Sequence, residues 1–120
     1  MSSTLVSTGS PVFQNIFTET SLTSSPEGVK ALNGVIFSIR VDNSGNSGSS
    51  YVYLYFAPTS QITFGTTAPN IVVFVPAGVV INQQFFTGNA AGLAFPVALS
   101  IAGTTLSSPP STLIVSVTFQ

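Results

Sequence analysis

The chain has 120 residues but only two basic and three acidic side chains, and it contains no histidine, cysteine or tryptophan. Charged residues make up 4% of it, against roughly 25% in ordinary soluble domains. This composition leaves few groups for acid–base catalysis and no thiol chemistry, and two basic side chains cannot neutralise a nucleic-acid backbone. A hydrophobic content of 44% is enough for one domain with a buried core.

The first part of the chain, residues 1–31, is rich in serine and threonine, with Phe13, Ile16 and Phe17 as isolated apolar anchors. Two interpretations stay open for it. It forms either an irregular first pair of strands or an extended arm that reaches a neighbouring subunit, and we favour the first. The chain therefore divides into an N-terminal segment, 1–31, with or without short strands, and a β-sandwich domain, 32–120.

From residue 34 onwards, alternating apolar residues predict strands, because side chains of a strand point to opposite faces in turn. Over 34–42 the residues expected to share one face are Val35, Phe37, Ile39 and Val41. This phase places Ile36 on the outward face. Over 51–56 the three tyrosines oppose the apolar residues Val52, Leu54 and Phe56.

Later in the chain, the run 71–75 is apolar at every position, which is typical of a strand covered on both faces. Residues 93–101 alternate cleanly and predict one strand with Val97 in the core, although Pro96 suggests an edge or a bulge within it. The final stretch, 113–119, alternates with Ile114 outward.

The connections between these segments contain turn residues. The sequence from 43 to 50 is a small, polar loop that we expect to be flexible, and proline and glycine separate the later strands. Short strands between such turns, with little or no helix, predict an all-β protein. The expected architecture is a small antiparallel β-sandwich, either immunoglobulin-like or a jelly roll.

The acidic residues do not form a recognisable catalytic or metal-binding pattern. Glu19 and Glu27 lie in the N-terminal segment, and Asp42 ends a predicted strand. The loop after Asp42 supplies one carboxylate, whereas a tight calcium loop gathers several. We therefore expect no enzymatic activity, no metal and no cofactor.

The three tyrosines give the best indication of binding. Tyr51, Tyr53 and Tyr55 alternate and would form a row on one side of a sheet. Such a row fits stacking against sugar rings, a subunit interface, or ordinary packing of aromatic residues on a sheet. As contact residues for a partner we name Tyr51, Tyr53, Tyr55, Phe13, Phe17 and Ile114.

The turn-and-strand spacing also resembles that of a known group of proteins. The relevant runs are Val41-Asp42-Asn43-Ser44, Tyr51–Tyr55, Val75-Pro76-Ala77-Gly78 and Ala98-Leu99-Ser100-Ile101-Ala102. They resemble the small β-sandwich structural proteins of tailed-bacteriophage virions, of the capsid cement or decoration type. The resemblance implies an all-β module, frequently trimeric, that is bound to the outside of a capsid.

We therefore expect a non-enzymatic virion protein, made in the host cytoplasm, that reinforces capsomer junctions as a homotrimer on the major capsid protein. The low charge makes nucleic acid and membranes unexpected partners. One alternative is a carbohydrate-binding or adhesion module that recognises surface glycans through the tyrosine row. Another is a filament subunit that assembles by strand addition, with residues 2–8 or 111–119 as the donated strand.

Overall fold

The computed structural model of the chain describes residues 14–105 and 113–120, and the strands in these ranges pair antiparallel. In chain order the strands are β1 (Asn15–Glu19), β2 (Glu27–Lys30), β3 (Gly34–Asp42), β4 (Ser50–Tyr55), β5 (Ile71–Val75), β6 (Val80–Gln84), β7 (Phe86–Thr87), β8 (Ala90–Ala91), β9 (Leu93–Phe95), β10 (Leu99–Thr105) and β11 (Ile114–Phe119). The only helical element in these ranges is a short 3₁₀ turn, Thr59–Gln61.

The strands form two main sheets. Sheet A has the order β1-β11-β3-β6, with β9 also paired to β3, and sheet B has the order β2-β10-β4-β5. The short strands β7 and β8 pair with each other as a separate hairpin. The predicted all-β fold, a small antiparallel β-sandwich, is therefore confirmed.

The core is built from the inward positions of both sheets. In sheet B, Val52 and Leu54 of β4 are fully buried, and in sheet A so are Val115 and Val117 of β11. Each such side chain contributes about 1.5–3 kcal/mol when it leaves water. The predicted alternation is confirmed at Val52 and Leu54 and along β11, whereas Tyr55, predicted on the outward face of β4, is buried.

The predicted phase of β3 is wrong at its start. The alternation predicts an outward Ile36, but this side chain has no exposed surface. The cause is a β-bulge: Thr118 of β11 lies opposite Ser38, whereas the next residue, Phe119, lies opposite Ile36. The extra residue, Phe37, reverses the phase of the alternation, so Ile36 enters the core.

The stretch predicted as one strand over 93–101 is two strands in different sheets. The first, β9, pairs with β3 in sheet A, and the second, β10, pairs with β4 in sheet B. The chain changes sheets at Pro96, which has no N–H to donate to a ladder. As a result Val97, which the alternation places in the core, is 54% exposed, and Ala98 is buried instead.

The expectation that both faces of β5 are covered is also wrong. This strand lies at the end of sheet B and pairs with β4. Val73 and Val75 point into the core, whereas Val72 and Phe74 are each 50% exposed. An end strand thus carries large apolar side chains on an outer surface that water reaches.

The loop expected to be flexible contains a buried hydrogen-bond network around Asn43, which has no exposed surface. Its side-chain nitrogen donates to three main-chain oxygens at 3.0–3.2 Å, those of Gly48, Val75 and Pro76. Its side-chain oxygen accepts from Asn46 Nδ2 and Ser50 Oγ, both at 2.7 Å. Because Val75 ends β5 and Asn43 follows β3, the network joins the two sheets.

The N-terminal segment contributes one strand to each sheet. β1 pairs with β11 at one end of sheet A, and β2 pairs with β10 at one end of sheet B. Between them Leu22 is buried in the core and donates its N–H to the carbonyl oxygen of Leu113 at 3.0 Å. Phe13 lies outside the described residues.

Candidate binding face

The outward residues of β4 and β5 form a surface that we call the aromatic face, defined by Tyr51, Tyr53, Val72 and Phe74. Tyr51 lies opposite Phe74 in the strand register, and Tyr53 lies opposite Val72. Cross-strand partners point to the same side of a sheet. Since the residues between them fill the core, these four side chains face away from it.

The aromatic rings of this face pack against one another. Tyr51 and Tyr53 stack with their centroids 6.3 Å apart and their planes 20° apart. Tyr51 also meets Phe74, with the centroids 5.2 Å apart at an angle of 56°. Aromatic pairs of this kind contribute about 0.5–1.5 kcal/mol beyond the area that they bury. The face is therefore ordered before a partner arrives, which lowers the entropy lost on binding.

The strands that carry this surface have no charged residue. β4, β5 and the neighbouring β10 contain no Asp, Glu, Lys or Arg. The charged residues of the described ranges lie on β1, β2 and β3. Contacts made by the aromatic face would thus depend on apolar area and hydroxyl groups, and salt screens neither of these.

A groove adjoins the aromatic face on the side of Tyr55. It has a volume of about 310 Å³ and lies between Tyr53 and Tyr55 on β4 and the segment 64–69. The ring of Phe64 stands edge-on to that of Tyr53, with centroids 5.4 Å apart at 76°. The Thr67 hydroxyl accepts from the N–H of Thr63 at 2.9 Å, which helps to hold the segment in place.

The three tyrosines therefore do not form one exposed row. Tyr51 and Tyr53 are half-buried on the aromatic face, but Tyr55 is only 2% exposed and lies in the wall of the groove. Burial, and then the neighbouring Tyr53, raise the pKa of the Tyr55 hydroxyl above its ordinary value. The row predicted from the sequence becomes a two-ring surface beside a groove.

The other predicted contact residues lie away from this surface. Phe17 on β1 and Ile114 on β11 belong to sheet A. Phe17 packs against the core, and Ile114 is half-buried. Phe13 falls outside the described residues.

Residues that the sequence interpretation missed complete the surface. Val72 and Phe74 reach it because β5 pairs with β4, and Phe64 reaches it from the turn that precedes β5. The sequence does hold one indication of Val72 and Phe74: the apolar run 71–75 is the next predicted strand after the strand that carries the tyrosines. Neighbouring strands in sequence often pair.

The acidic side chains make local contacts. Burial raises the pKa of Glu27, and a hydrogen bond to Glu19 and the charge of that residue act in the same direction. The hydroxyl and backbone N–H of Ser44 donate to Asp42 Oδ1 at 2.5 and 2.9 Å, and they lower the pKa of that carboxyl. These contacts fit structural roles.

The ends of the sheets bear on the strand-addition alternative. The stretch 111–119 contains β11, which lies between β1 and β3 and pairs with both. It can be donated to another subunit only if sheet A comes apart. The other suggested donor, 2–8, lies outside the described residues.

Residues 14–105 and 113–120 contain no group of three or more His, Cys, Asp or Glu side chains placed to hold a metal. No helix within these ranges has the length and apolarity of a membrane span. No family model, curated protein or solved structure matches the chain.

Proposed function

We propose that this chain is a non-enzymatic structural protein that assembles by burying its aromatic face. The observation that carries the proposal is the pair of half-exposed residues Val72 and Phe74 beside Tyr51 and Tyr53, on strands without charge. Exposed apolar patches mark interaction sites, and aromatic residues are enriched in interface cores while charged residues are depleted there.

The specific form that we propose is a capsid decoration protein. It self-associates, most simply as a homotrimer, and binds the major capsid protein on the outside of a virion. The resemblance of the turn-and-strand spacing to tailed-bacteriophage virion proteins supports this form. Such a protein needs no reactive group, because it acts by removing surface from water at about 25 cal/mol per Å² of apolar area.

Repeated attachment would make even weak single contacts effective. A specific interface usually buries about 1,200–2,000 Å² in total, and much of the gross gain is offset by the entropy of association. A trimer that holds several capsid subunits at once gains from effective concentration. The proposal therefore requires multivalent binding and does not require high affinity at each site.

Self-association is tested by the solution mass of the purified protein, measured by light scattering after size exclusion at low and high salt. We expect a trimer at both salt concentrations, because apolar burial is not screened. A monomer at every concentration tested contradicts the proposal, and open polymers visible by electron microscopy favour the filament alternative.

The virion assignment needs a separate measurement. The proposal implies that a phage genome encodes the chain. Capsids of that phage, prepared without the protein, are incubated with purified protein and sedimented through a density cushion. We expect saturable co-sedimentation and greater resistance of the capsids to heat. Protein that stays in the supernatant at saturating concentration contradicts the capsid role and leaves self-association standing.

A further inference from the structure

We infer that the groove between Tyr53, Tyr55 and the segment 64–69 binds one ring of a neutral sugar, such as a terminal hexose of a surface glycan. The inference rests on the groove, which shares Tyr53 with the aromatic face, and it is tested separately from assembly. Tyr53 borders both surfaces, whereas Tyr55 belongs to the groove and Phe74 to the face.

The size of the groove suits a small ligand. Its volume of about 310 Å³ is at the lower end of the ~300–1,000 Å³ range of small-molecule sites. Its lining residues combine aromatic rings with hydroxyl groups and a glycine: Tyr53, Tyr55, Phe64, Gly65, Thr66 and Thr67. Gly65 has a φ of 86°, a conformation that side chains disfavour, so the turn that borders the groove depends on glycine.

The hydroxyl of Tyr55 is the group that points most clearly to a ligand. The residue is only 2% exposed, and its hydroxyl makes no hydrogen bond to another group in the described part of the chain. No side-chain oxygen of the described residues is both sealed from solvent and unpaired. This hydroxyl therefore reaches solvent, and the groove is the surface that Tyr55 lines. In the proposed complex a ligand hydroxyl accepts a hydrogen bond from Tyr55.

The aromatic rings of the groove suit the apolar face of a sugar ring. One face of a pyranose ring presents C–H groups, which are attracted to the electron-rich face of an aromatic ring. Tyr53 is held by its contacts with Tyr51 and Phe64, so stacking on it costs little side-chain entropy. The Thr67 hydroxyl already accepts a hydrogen bond from Thr63, and its own proton is available to donate.

The absence of charge in the lining selects among ligands. None of the residues that line the groove is Asp, Glu, Lys or Arg. An anionic sugar or a phosphate would lose hydration here without gaining an opposite charge. A neutral sugar loses only hydroxyl hydration, which the tyrosine and threonine hydroxyls replace.

The test is a titration of ¹⁵N-labelled full-length protein with methyl glycosides of glucose, galactose, mannose and N-acetylglucosamine, followed by NMR. We expect saturable shifts of the amides in segment 64–68 with at least one glycoside. Tyr55→Phe keeps the ring and removes the hydroxyl, and we expect it to weaken binding roughly 5–10-fold, the effect of one lost hydrogen bond. We expect Tyr53→Ala to abolish saturation.

Two controls separate this inference from the assembly proposal. Phe86→Ala changes an exposed aromatic residue on the β7–β8 hairpin and should bind the glycoside like wild type. Phe74→Lys weakens assembly but changes no residue of the groove, so it should still bind the glycoside with saturation. Unchanged affinity in Tyr55→Phe, or no saturable shift with any glycoside, overturns the inference. So does a proline-rich peptide that saturates the same amides when the glycosides do not. A thermal melt of each variant shows that it is folded.

Discussion

The outer surfaces of the two sheets differ in their aromatic content. On sheet A the outward positions are mostly polar (Ser38, Arg40, Asn82, Ser116 and Thr118), with the aliphatic residues Ile16, Val80 and Ile114 among them. On β4 and β5 of sheet B they are aromatic or apolar: Tyr51, Tyr53, Val72 and Phe74. The two surfaces belong to one sandwich and enclose one core, so the need to fill the core does not explain the difference.

Hydrogen bonding illustrates the contrast. On sheet A the Thr18 and Ser116 hydroxyls lie 3.1 Å apart and form a hydrogen bond across β1 and β11. On sheet B the corresponding cross-strand contact is the ring pair of Tyr51 and Phe74. A surface of the first kind is stable in water, whereas a surface of the second kind gains free energy when it is covered. We propose that sheet B faces a partner and that sheet A faces solvent.

The largest expected effect is on the free energy of unfolding, and it comes from changing a core residue of β3 in sheet A. Ile36→Ala should reduce the free energy of unfolding by about 3 kcal/mol, because it leaves a cavity in the core. Val35→Ala, a change to a half-buried neighbour, should reduce it by less than half as much. Urea denaturation of both variants makes the comparison, and equal losses contradict the bulge in β3.

The next largest effect is expected at the Asn43 hydrogen-bond network that joins the two sheets. Asn43→Ala should reduce the free energy of unfolding by about 2–3 kcal/mol, since it leaves buried groups of the network without partners. Ser44→Ala, in the same loop but exposed, should change it by about 0.5 kcal/mol or less. A similar stability for the two variants would show that the loop is not an ordered link.

The contrast between the surfaces is tested by placing a charge on each. Phe74→Lys on sheet B should weaken self-association by about 2 kcal/mol, the scale of an interface hot spot. Gln84→Lys on the exposed part of sheet A should leave it unchanged. Analytical ultracentrifugation of the two variants measures both constants, and equal weakening contradicts the assignment of the partner to sheet B.

The smallest effect concerns the acidic pair at the ends of β1 and β2. Because the pKa of Glu27 is raised in the folded state, its stabilising contribution is complete below the ordinary glutamate pKa and is lost as pH rises through the raised value. Glu27→Gln should remove this dependence, so the melting temperature of wild type relative to the variant should fall between mildly acidic and neutral pH. Parallel curves contradict a raised pKa of Glu27 in the folded protein.

Local patterns in the sequence predict most of the strands. They do not predict every inward-facing residue, nor the points at which the chain passes from one sheet to the other. The strands that contain Val52 and Val115 follow from alternation, because each is regular and covered on one side. The bulge beside Ile36 and the change of sheet at Pro96 depend on which strand pairs with which. The burial of Asn43 depends on a carbonyl group 32 residues later, that of Val75, so the loop looks flexible in isolation.

The candidate site likewise contains residues that the sequence reveals and residues that only the fold brings together. Tyr51 and Tyr53 are visible in the sequence, since they alternate within one strand. Phe74 and Phe64 join them only through the pairing of β4 with β5 and the turn before it. The groove exists only because the segment 64–69 lies beside Tyr53 and Tyr55 in the fold.

The most direct test of the central claim is hydroxyl-radical footprinting of the protein at high and low concentration. Phe86, which is 56% exposed on the β7–β8 hairpin, is an internal reference. We predict that oxidation of Tyr51 and Phe74 falls as the protein assembles while oxidation of Phe86 does not. Equal protection of all three residues, or no protection of Tyr51 and Phe74 in an assembled sample, would contradict a partner on the aromatic face.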